Sequence, residues 1–176
     1  MSTVAAPILI AIMMAVLILG TGSLQQSQTV LELTAQQSAG TAAAHLHTIV
    51  QPVSASVLAG GSELSLTFRN SGDVAISDFA HADVIVQYAG VAGYNDFGYP
   101  FSEHVLERLT YAPLVARAEQ WDVAQISPDT MHPGMWDPGE VITVAVVLPE
   151  AAMPGVPGTA VFATPNGVTT SVYFTR

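Results

Sequence analysis

The chain contains no cysteine and no lysine, and its four Lys/Arg residues are all arginines. Without cysteine there is no disulfide framework, no zinc–thiolate site and no cysteine nucleophile. The 14 acidic residues give the chain a formal net charge of −10. A protein that binds nucleic acid needs a basic surface to neutralise phosphates, so this charge excludes nucleic acid as a partner.

Charge is also missing locally, from the first part of the chain. Met1–Leu31 holds no Asp, Glu, Lys or Arg, and Glu32 is the only such residue before Glu63. The sequence therefore divides into an uncharged arm and an acidic body. Ala59-Gly60-Gly61-Ser62 has the composition of a short linker. We accordingly predict an N-terminal arm at 1–58 and a head domain at 59–176.

The arm has the pattern of one long helix. Val4–Leu19 is apolar without interruption, and with its flanks it is long enough for a bilayer span of about 17–25 residues. Apolar residues continue beyond it at helical spacings, and no proline lies between Pro7 and Pro52. We predict a helix from near Val4 to Val50, about 70 Å long at 1.5 Å per residue.

Such an arm has to be buried in lipid or in copies of itself. One interpretation is a single-pass membrane anchor followed by a stalk. The other is a subunit whose arms bundle into a filament core, which the uncharged polar face and the small residues that let helices approach closely both favour. The predicted filament-core contacts are Val4, Ile8, Leu9, Ile12, Met13, Val16, Leu17, Leu19, Leu24 and Leu31.

The body has short β-rich segments separated by turn residues, and we find no strong helical period in it. Leu64, Leu66 and Phe68 alternate with polar residues, as on a half-buried strand. Asn166-Gly167 near the C-terminus is a strong hairpin signal. Seven or so short strands predict a β-sandwich. The predicted fold class is therefore α+β, a long N-terminal α-helix followed by an immunoglobulin-like β-sandwich head.

Gly90–Phe101 is a segment rich in glycine and aromatic residues. We interpret it as a surface loop with a few packed rings. The alternative interpretation is an aromatic contact with a neighbouring subunit, because aromatic residues are enriched at protein interfaces.

Candidate catalytic and metal-binding groups are sparse. There is no G-x-S-x-G nucleophile elbow, and no glycine-rich phosphate loop precedes a helix. The histidines near acids are interpreted as surface groups rather than as ligands, since acids near turns are commoner than metal sites. We predict no enzyme activity, no cofactor and no metal. The groups considered were His45 and His47, His81 with Asp78 and Asp83, and His104 with Glu103 and Glu107.

The whole chain resembles the archaellin family, the archaeal-type flagellins built on the type IV pilin plan. The N-terminus MSTVAAPILIAIMMAVLILG looks like the mature start left by a prepilin-type peptidase. Body phrases such as DFAHADVIVQY, EQWDVAQISPD, PGMWDPGEVITVAVVLP and TPNGVTTSVYF look like heads of archaellum-related proteins. The phrase Asp137–Glu140, which leads into a predicted buried strand, is more suggestive than the arm, whose pattern all pilin-like proteins share.

The resemblance implies a function and a set of partners. The chain would polymerise into an extracellular, cell-surface filament that a membrane motor rotates for swimming. A prepilin-type peptidase would process it, an assembly ATPase and a membrane platform protein would assemble it, and it would lie in the inner membrane only as a precursor. The acid that many bacterial pilins carry near the mature start is missing. A membrane-anchored archaellum stator-like protein and an adhesion pilin are the alternatives.

Overall fold

The computed structural model describes Ser38, Gly40 and the ranges 42–58, 60–114 and 117–176. The chain divides into two compact units, with the boundary between Ala43 and Ala44. All the strands described below belong to the second unit. The predicted filament-core contacts from Val4 to Leu31 lie outside the described residues. Within the described ranges, no helix has the length and apolar character needed to span a membrane.

The unit Ala44–Arg176 is built almost entirely of β-strands. Its eight strands are β1 (Val50–Val57), β2 (Glu63–Asn70), β3 (Asp83–Tyr94), β4 (Pro100–Tyr111), β5 (Gln120–Ser127), β6 (Val141–Val147), β7 (Pro157–Ala163) and β8 (Thr169–Thr175). A single turn of 3₁₀ helix, Phe79–His81, precedes β3. In the described part of the chain, α-helix is found at Ser38, Gly40 and 42–47.

The strands form one nearly closed sheet in the order β1-β2-β6-β5-β4-β3-β7-β8. Neighbours pair antiparallel except β4 and β5, which share only the two parallel pairs Thr110–Gln120 and Tyr111–Trp121. This weak link separates the sheet into two four-stranded halves, and the outer strands β1 and β8 lie in contact. The two halves have the strand order A-B-E-D and C′-C-F-G of an immunoglobulin-like sandwich.

Alternation of buried and more exposed side chains gives each half of the sheet one inner face. On β2 every second residue is buried, with Ser65, Thr67 and Arg69 between them, and on β6 the buried residues are Ile142, Val144 and Val146. The inner faces of the two halves meet at the rings of Phe68 on β2 and Phe162 on β7, whose centroids are 5.1 Å apart. Burial of these side chains stabilises the fold by roughly 25 cal/mol per Å² of apolar surface.

The predicted α+β class is wrong, because the described residues are almost all β and no long N-terminal helix is found among them. The helix predicted to reach Val50 ends at His47. The next segment, β1, pairs antiparallel with β2. This segment is a strand because Pro52 cannot continue a helix and because its β-branched valines favour strands. The compact unit that holds the sheet starts at Ala44.

The β3–β4 hairpin is longer than the sheet that supports it. Each of its strands has 12 residues, but pairing with β7 ends at Gln87–Thr159. The hairpin continues to the pair Tyr94–Pro100. Most of the segment predicted as a loop, Gly90–Phe101, is therefore a two-stranded ribbon that extends beyond β7.

Candidate protein–protein interface

The end of this ribbon is an ordered turn, which we call the hairpin tip (residues 94–101). Asn95 holds it, since its Oδ1 atom accepts hydrogen bonds from the backbone N–H groups of Phe97 (3.0 Å) and Tyr99 (2.9 Å). The backbone N–H of Asn95 donates to the Tyr99 carbonyl (2.9 Å), and Gly98 takes a φ of 79° that a side chain would disfavour. The local sequence thus fixes the shape of the tip.

Four aromatic rings of the hairpin tip face solvent. The exposed fractions are 68% for Tyr94, 86% for Phe97, 69% for Tyr99 and 53% for Phe101. The rings are not packed in the way the preferred interpretation of the sequence required. Aromatic residues are enriched at protein interfaces and dominate their binding energy, so the exposed cluster favours the alternative interpretation, a contact surface.

The root of the ribbon is held firmly against the segment before β7. The Val91 N–H donates to the Ala151 carbonyl and the Met153 N–H to the Ala89 carbonyl, both at 2.8 Å. The Tyr88 hydroxyl donates to the Glu150 carbonyl at 2.9 Å. Burial of this phenol, with smaller contributions from nearby carboxylates, raises the pKa of Tyr88 to about 12. The tip is therefore presented on a rigid support.

An open groove with a mixed apolar and polar lining lies beside the other end of the same hairpin. It has a volume of about 470 Å³. Phe79, just before β3, and Tyr111, the last residue of β4, contribute to it. Burial, with the neighbouring Asp122 carboxylate, raises the pKa of Tyr111. We define the β5 groove by its apolar lining residues, Phe79, Tyr111, Pro113, Leu114, Val123, Ala124 and Ile126, together with Asp122, Gln125, Asp129 and Gly134.

The Asp137–Glu140 phrase forms a buried polar cluster at the end of the sandwich where β2 ends and β6 begins. The exposed fractions of Asp137 and Glu140 are 2% and 4%. The Asp137 carboxylate accepts hydrogen bonds from the backbone N–H (3.0 Å) and Nδ1 (3.0 Å) of His132. The Glu140 carboxylate accepts from the Asp137 N–H at 3.1 Å. These partners compensate the cost of burying both side chains.

Asn70 and Trp136 complete this cluster, which we call the Trp136 corner (Asn70, His132, Trp136, Asp137 and Glu140). The Asn70 Nδ2 atom donates to the carbonyls of Trp136 (3.0 Å) and Val74 (2.8 Å). The Trp136 indole donates to the Glu140 carbonyl at 2.9 Å. Every one of these groups is used to hold the turn together. The corner is therefore a structural element, and the Asp137–Glu140 phrase is a folding signal.

The other titratable candidates form surface pairs. His81 Nδ1 lies 2.7 Å from an Asp78 carboxylate oxygen, while the Asp83 carboxylate accepts from Arg108 at 2.8 Å. Within the described ranges, no three His, Cys, Asp or Glu residues come together as a metal site. His47 pairs with Asp73 (3.4 Å) and His104 with Gln87 (3.1 Å), and His45 is exposed on the helical segment 42–47.

Sequence reasoning did not identify the β5 groove. Its lining residues come from separate segments, around Phe79, from the end of β4 to Leu114, and on β5 and the segment after it. No sequence pattern links those segments. The aromatic content of the tip was visible, but its exposure depends on how far β7 reaches.

Comparisons with known proteins identify the fold. No family model matches the chain, and no curated protein matches it. Among solved structures, the archaeal flagellum of Methanospirillum hungatei strain JF1 matches with a TM-score of 0.58 and 12% identity, over 99% of this chain and 93% of that one.

Two archaellum stator structures from Sulfolobus acidocaldarius also match. The periplasmic stator protein FlaG does so with a TM-score of 0.51 and 20% identity, over 72% of this chain and 99% of that one. The complex of FlaF and FlaG gives a TM-score of 0.50 and 19% identity, over 71% of this chain and 87% of that one. The chain thus has the fold of these archaellum proteins, and the resemblance drawn from its sequence is confirmed at the level of the fold.

Proposed function

We propose that the chain is a structural archaellum protein and not an enzyme, and that it polymerises through its N-terminal arm into an extracellular, motile filament. The observation that carries the proposal is the match with the archaeal flagellum chain, which covers 99% of this chain. The stator matches cover 72% and 71% of it. A filament subunit accounts for both the uncharged arm and the β head in one assembly.

The physical basis of polymerisation is burial of the arm. Val4–Leu19 is apolar without interruption, and in a bundle of arms each buried Å² contributes roughly 25 cal/mol. The acidic heads face water around this core, where their repulsion is screened beyond about 8 Å at physiological salt. In this scheme the precursor lies in the membrane until a peptidase has processed it and an assembly ATPase and a platform protein add it to the filament.

A stator-like function is the second candidate. Sequence identity is higher to the two stator structures, at 20% and 19%, than to the flagellum chain, at 12%. A stator-like protein would keep its arm in the membrane and would contact the cell envelope through its head. An adhesion pilin of the same plan would form filaments that do not rotate.

The decisive experiment compares Leu17→Asp with Leu17→Ile in cells that make no other copy of the chain. A carboxylate buried among apolar arms costs several kcal/mol, so Leu17→Asp should abolish filaments seen by electron microscopy. Leu17→Ile keeps the apolar volume and should leave them intact. Abundant Leu17→Asp filaments would contradict the proposal.

The alternatives give different results in the same cells. If the wild-type protein stays in the membrane fraction after filaments are sheared off, the stator-like function replaces the filament function. If the sheared filaments contain the protein but tethered cells do not rotate, the protein is an adhesion pilin rather than a motile filament subunit or a stator-like protein.

A further inference from the structure

One edge of the sheet has no neighbouring strand along most of its length in the described part of the chain. β4 pairs with β3 on one side, but on its other side it pairs with β5 only at Thr110 and Tyr111. The Thr110 N–H points to that other side, because it donates to the Glu119 carbonyl at 2.9 Å. Backbone groups alternate in direction along a strand, so those of the even-numbered residues 102–108 also point away from β3. We call residues 101–109 of β4 the open edge, and such an edge is a template for an added strand.

Three carboxylates that lack a cation lie beside the open edge. Residues 103–107, Pro149 and Glu150 line a pocket of about 250 Å³ there. Within the described ranges, the side chains of Glu103, Glu107 and Glu150 form no ion pair. In the same part of the chain, the Glu150 Oε2 atom is buried without a hydrogen-bond partner. An unsatisfied carboxylate is costly, so this site gains free energy when a cationic donor is brought to it.

The face of the open edge that carries the acids also carries an aromatic ring. Side chains alternate between the two faces of a strand, so Phe101, Glu103 and Glu107 share one face, and Phe101 is 53% exposed. His104 lies on the other face, where its Nε2 atom is 3.1 Å from Nε2 of Gln87. A guanidinium both stacks on aromatic rings and pairs with carboxylates. The acidic face therefore matches the chemistry of arginine.

The charge of the open edge decides which kind of strand can be added to it. No Lys or Arg lies between Arg69 and Arg108 in the sequence, and the Arg108 guanidinium is paired with Asp83 at 2.8 Å. If two copies joined through this edge, their glutamates would face each other, and like charges on neighbouring strands are destabilising. The net charge of −10 on each copy adds to that repulsion. The charge thus disfavours a second copy and attracts a basic strand.

We propose that the open edge of β4 binds an extended, arginine-bearing segment of another protein, which adds to the sheet as a further strand. Main-chain hydrogen bonds to the even-numbered residues 102–108 supply affinity, and the side chains at alternate positions supply specificity. Arginines on one face of the added strand pair with Glu103, Glu107 and Glu150. This binding does not depend on whether the arm polymerises, so it goes beyond the proposed filament function.

The test measures binding of a synthetic peptide to the full-length chain in a non-ionic detergent. The probe is a dye-labelled heptapeptide with blocked ends in which arginine alternates with valine, and fluorescence anisotropy reports its binding. Glu103→Gln combined with Glu107→Gln should weaken binding about tenfold. The matched control is Asp73→Asn combined with Asp78→Asn, two acids away from the open edge whose side chains are 85% and 55% exposed. This control removes the same charge and should bind as the wild type does.

Two further measurements test the added strand itself. A peptide with the same side chains but methylated backbone nitrogens cannot donate main-chain hydrogen bonds, so it should bind much more weakly. Hydrogen exchange should show that the arginine peptide protects the amides of the even-numbered residues 102–108. If Glu103→Gln with Glu107→Gln loses the native circular dichroism spectrum, Glu150→Gln takes its place and should also weaken binding.

Several results would overturn this inference. They are no binding of the arginine peptide, equal binding by the two double variants, equal binding of the methylated peptide, and equal binding of a peptide in which glutamate replaces arginine. Amides of residues 102–108 that are protected before any peptide is added would show that the chain itself or a second copy occupies the edge. The acids would then serve only to keep copies apart.

Electron microscopy of the wild-type chain separates the two proposals. If filaments form but the arginine peptide does not bind, only this inference is wrong and the filament function stands. If the peptide binds but no filaments form, the filament function fails and the open edge remains a binding site for a basic strand.

Discussion

The Trp136 corner and the hairpin tip place polar and apolar side chains in opposite ways. At the corner, polar groups are buried: Asn70 is fully covered, and Asp137 and Glu140 are nearly so. At the tip, apolar groups are exposed, with Phe97 at 86%. Most of the corner comes from the segment between β5 and β6, and that segment and the tip each contain an acid, an aromatic residue and a glycine.

The difference shows which turn is complete within one copy. Each side chain of the corner has hydrogen-bond partners inside the unit, and removing a partner leaves a buried group unsatisfied at a cost of about 1–3 kcal/mol. The rings of the tip are more than half exposed in the described part of the unit, although Asn95 fixes the backbone that carries them. The hairpin tip is ordered and exposed, so a contact with another molecule would not have to order its backbone first.

The largest expected effect is a loss of stability on removing β1 and the residues just before it, which hydrogen-bond to the segment that follows Asn70 of the corner. The Ser71 N–H donates to the Ile49 carbonyl (2.8 Å) and the Asp73 N–H to the His47 carbonyl (2.9 Å). A fragment of residues 61–176 lacks these acceptors and β1, one of the two strands that pair with β2. We expect the fragment 44–176 to fold as a β protein and the fragment 61–176 to lose cooperative unfolding, as measured by circular dichroism during thermal denaturation.

The same pair of fragments tests the comparison itself. If the fragment 61–176 unfolds with the same midpoint as 44–176, then the corner does not depend on β1 and the unit begins after the predicted linker. Gly72 provides a finer check, because a Cβ atom there would lie 2.3 Å from the His47 carbonyl oxygen. Gly72→Ala should therefore destabilise the fragment 44–176.

Parts of the fold could be predicted from the sequence because they depend on local pattern. Alternation at Leu64, Leu66 and Phe68 indicated β2, which has one buried face. Asn166-Gly167 indicated the β7–β8 turn, where Gly167 takes a φ of 87°. These features are set by neighbours in the chain, and the structure places them as expected.

Other parts depend on distant contacts and could not be predicted. β1 follows the helical pattern directly and contains Pro52, so its strand character appears only when it pairs with β2. The first half of β4 carries no strand pattern in the sequence, because Ser102, Glu103 and His104 are consecutive polar residues and break the alternation of a half-buried strand. The exposure of the tip and the shape of the β5 groove depend on where β7 ends and how β5 approaches β4.

An intermediate effect is expected from Asn70 in the corner and Asn95 in the tip, whose side chains both hold a turn by hydrogen bonds to backbone groups. Asn70→Ala removes donors to two carbonyls and the acceptor for the Gly72 N–H. All of these lie in or near the buried corner, so the free energy of unfolding of the fragment 44–176 should fall by about 3 kcal/mol. Asn95→Ala also removes an acceptor of two hydrogen bonds, but water replaces it at the exposed tip.

The loss for Asn95→Ala should therefore be about 1 kcal/mol or less. Denaturant midpoints of the two variants, measured beside the wild-type fragment, give the comparison directly. Equal losses would mean that burial does not distinguish the two turns, and the contrast between corner and tip would fail.

The smallest expected effect is a pH dependence at the root of the ribbon. Burial raises the pKa of Tyr88 from 10.0 to about 12, so the folded protein keeps this proton over a range in which the unfolded chain has released it. The stabilisation is fully present below pH 10, the ordinary pKa, and is lost as the pH rises through about 12.

Tyr88→Phe removes both the titration and the hydrogen bond to the Glu150 carbonyl. Below pH 10 it should lower the free energy of unfolding by about 1 kcal/mol, and the difference from wild type should shrink as the pH approaches 12. Tyr111→Phe is the matched control, because burial raises that pKa as well but no hydrogen bond of its hydroxyl supports the ribbon. If the difference between wild type and Tyr88→Phe stays constant across this range, the Tyr88 proton does not contribute to holding the hairpin, and the rigidity of the tip rests on the backbone pairs at Ala89 and Val91 alone.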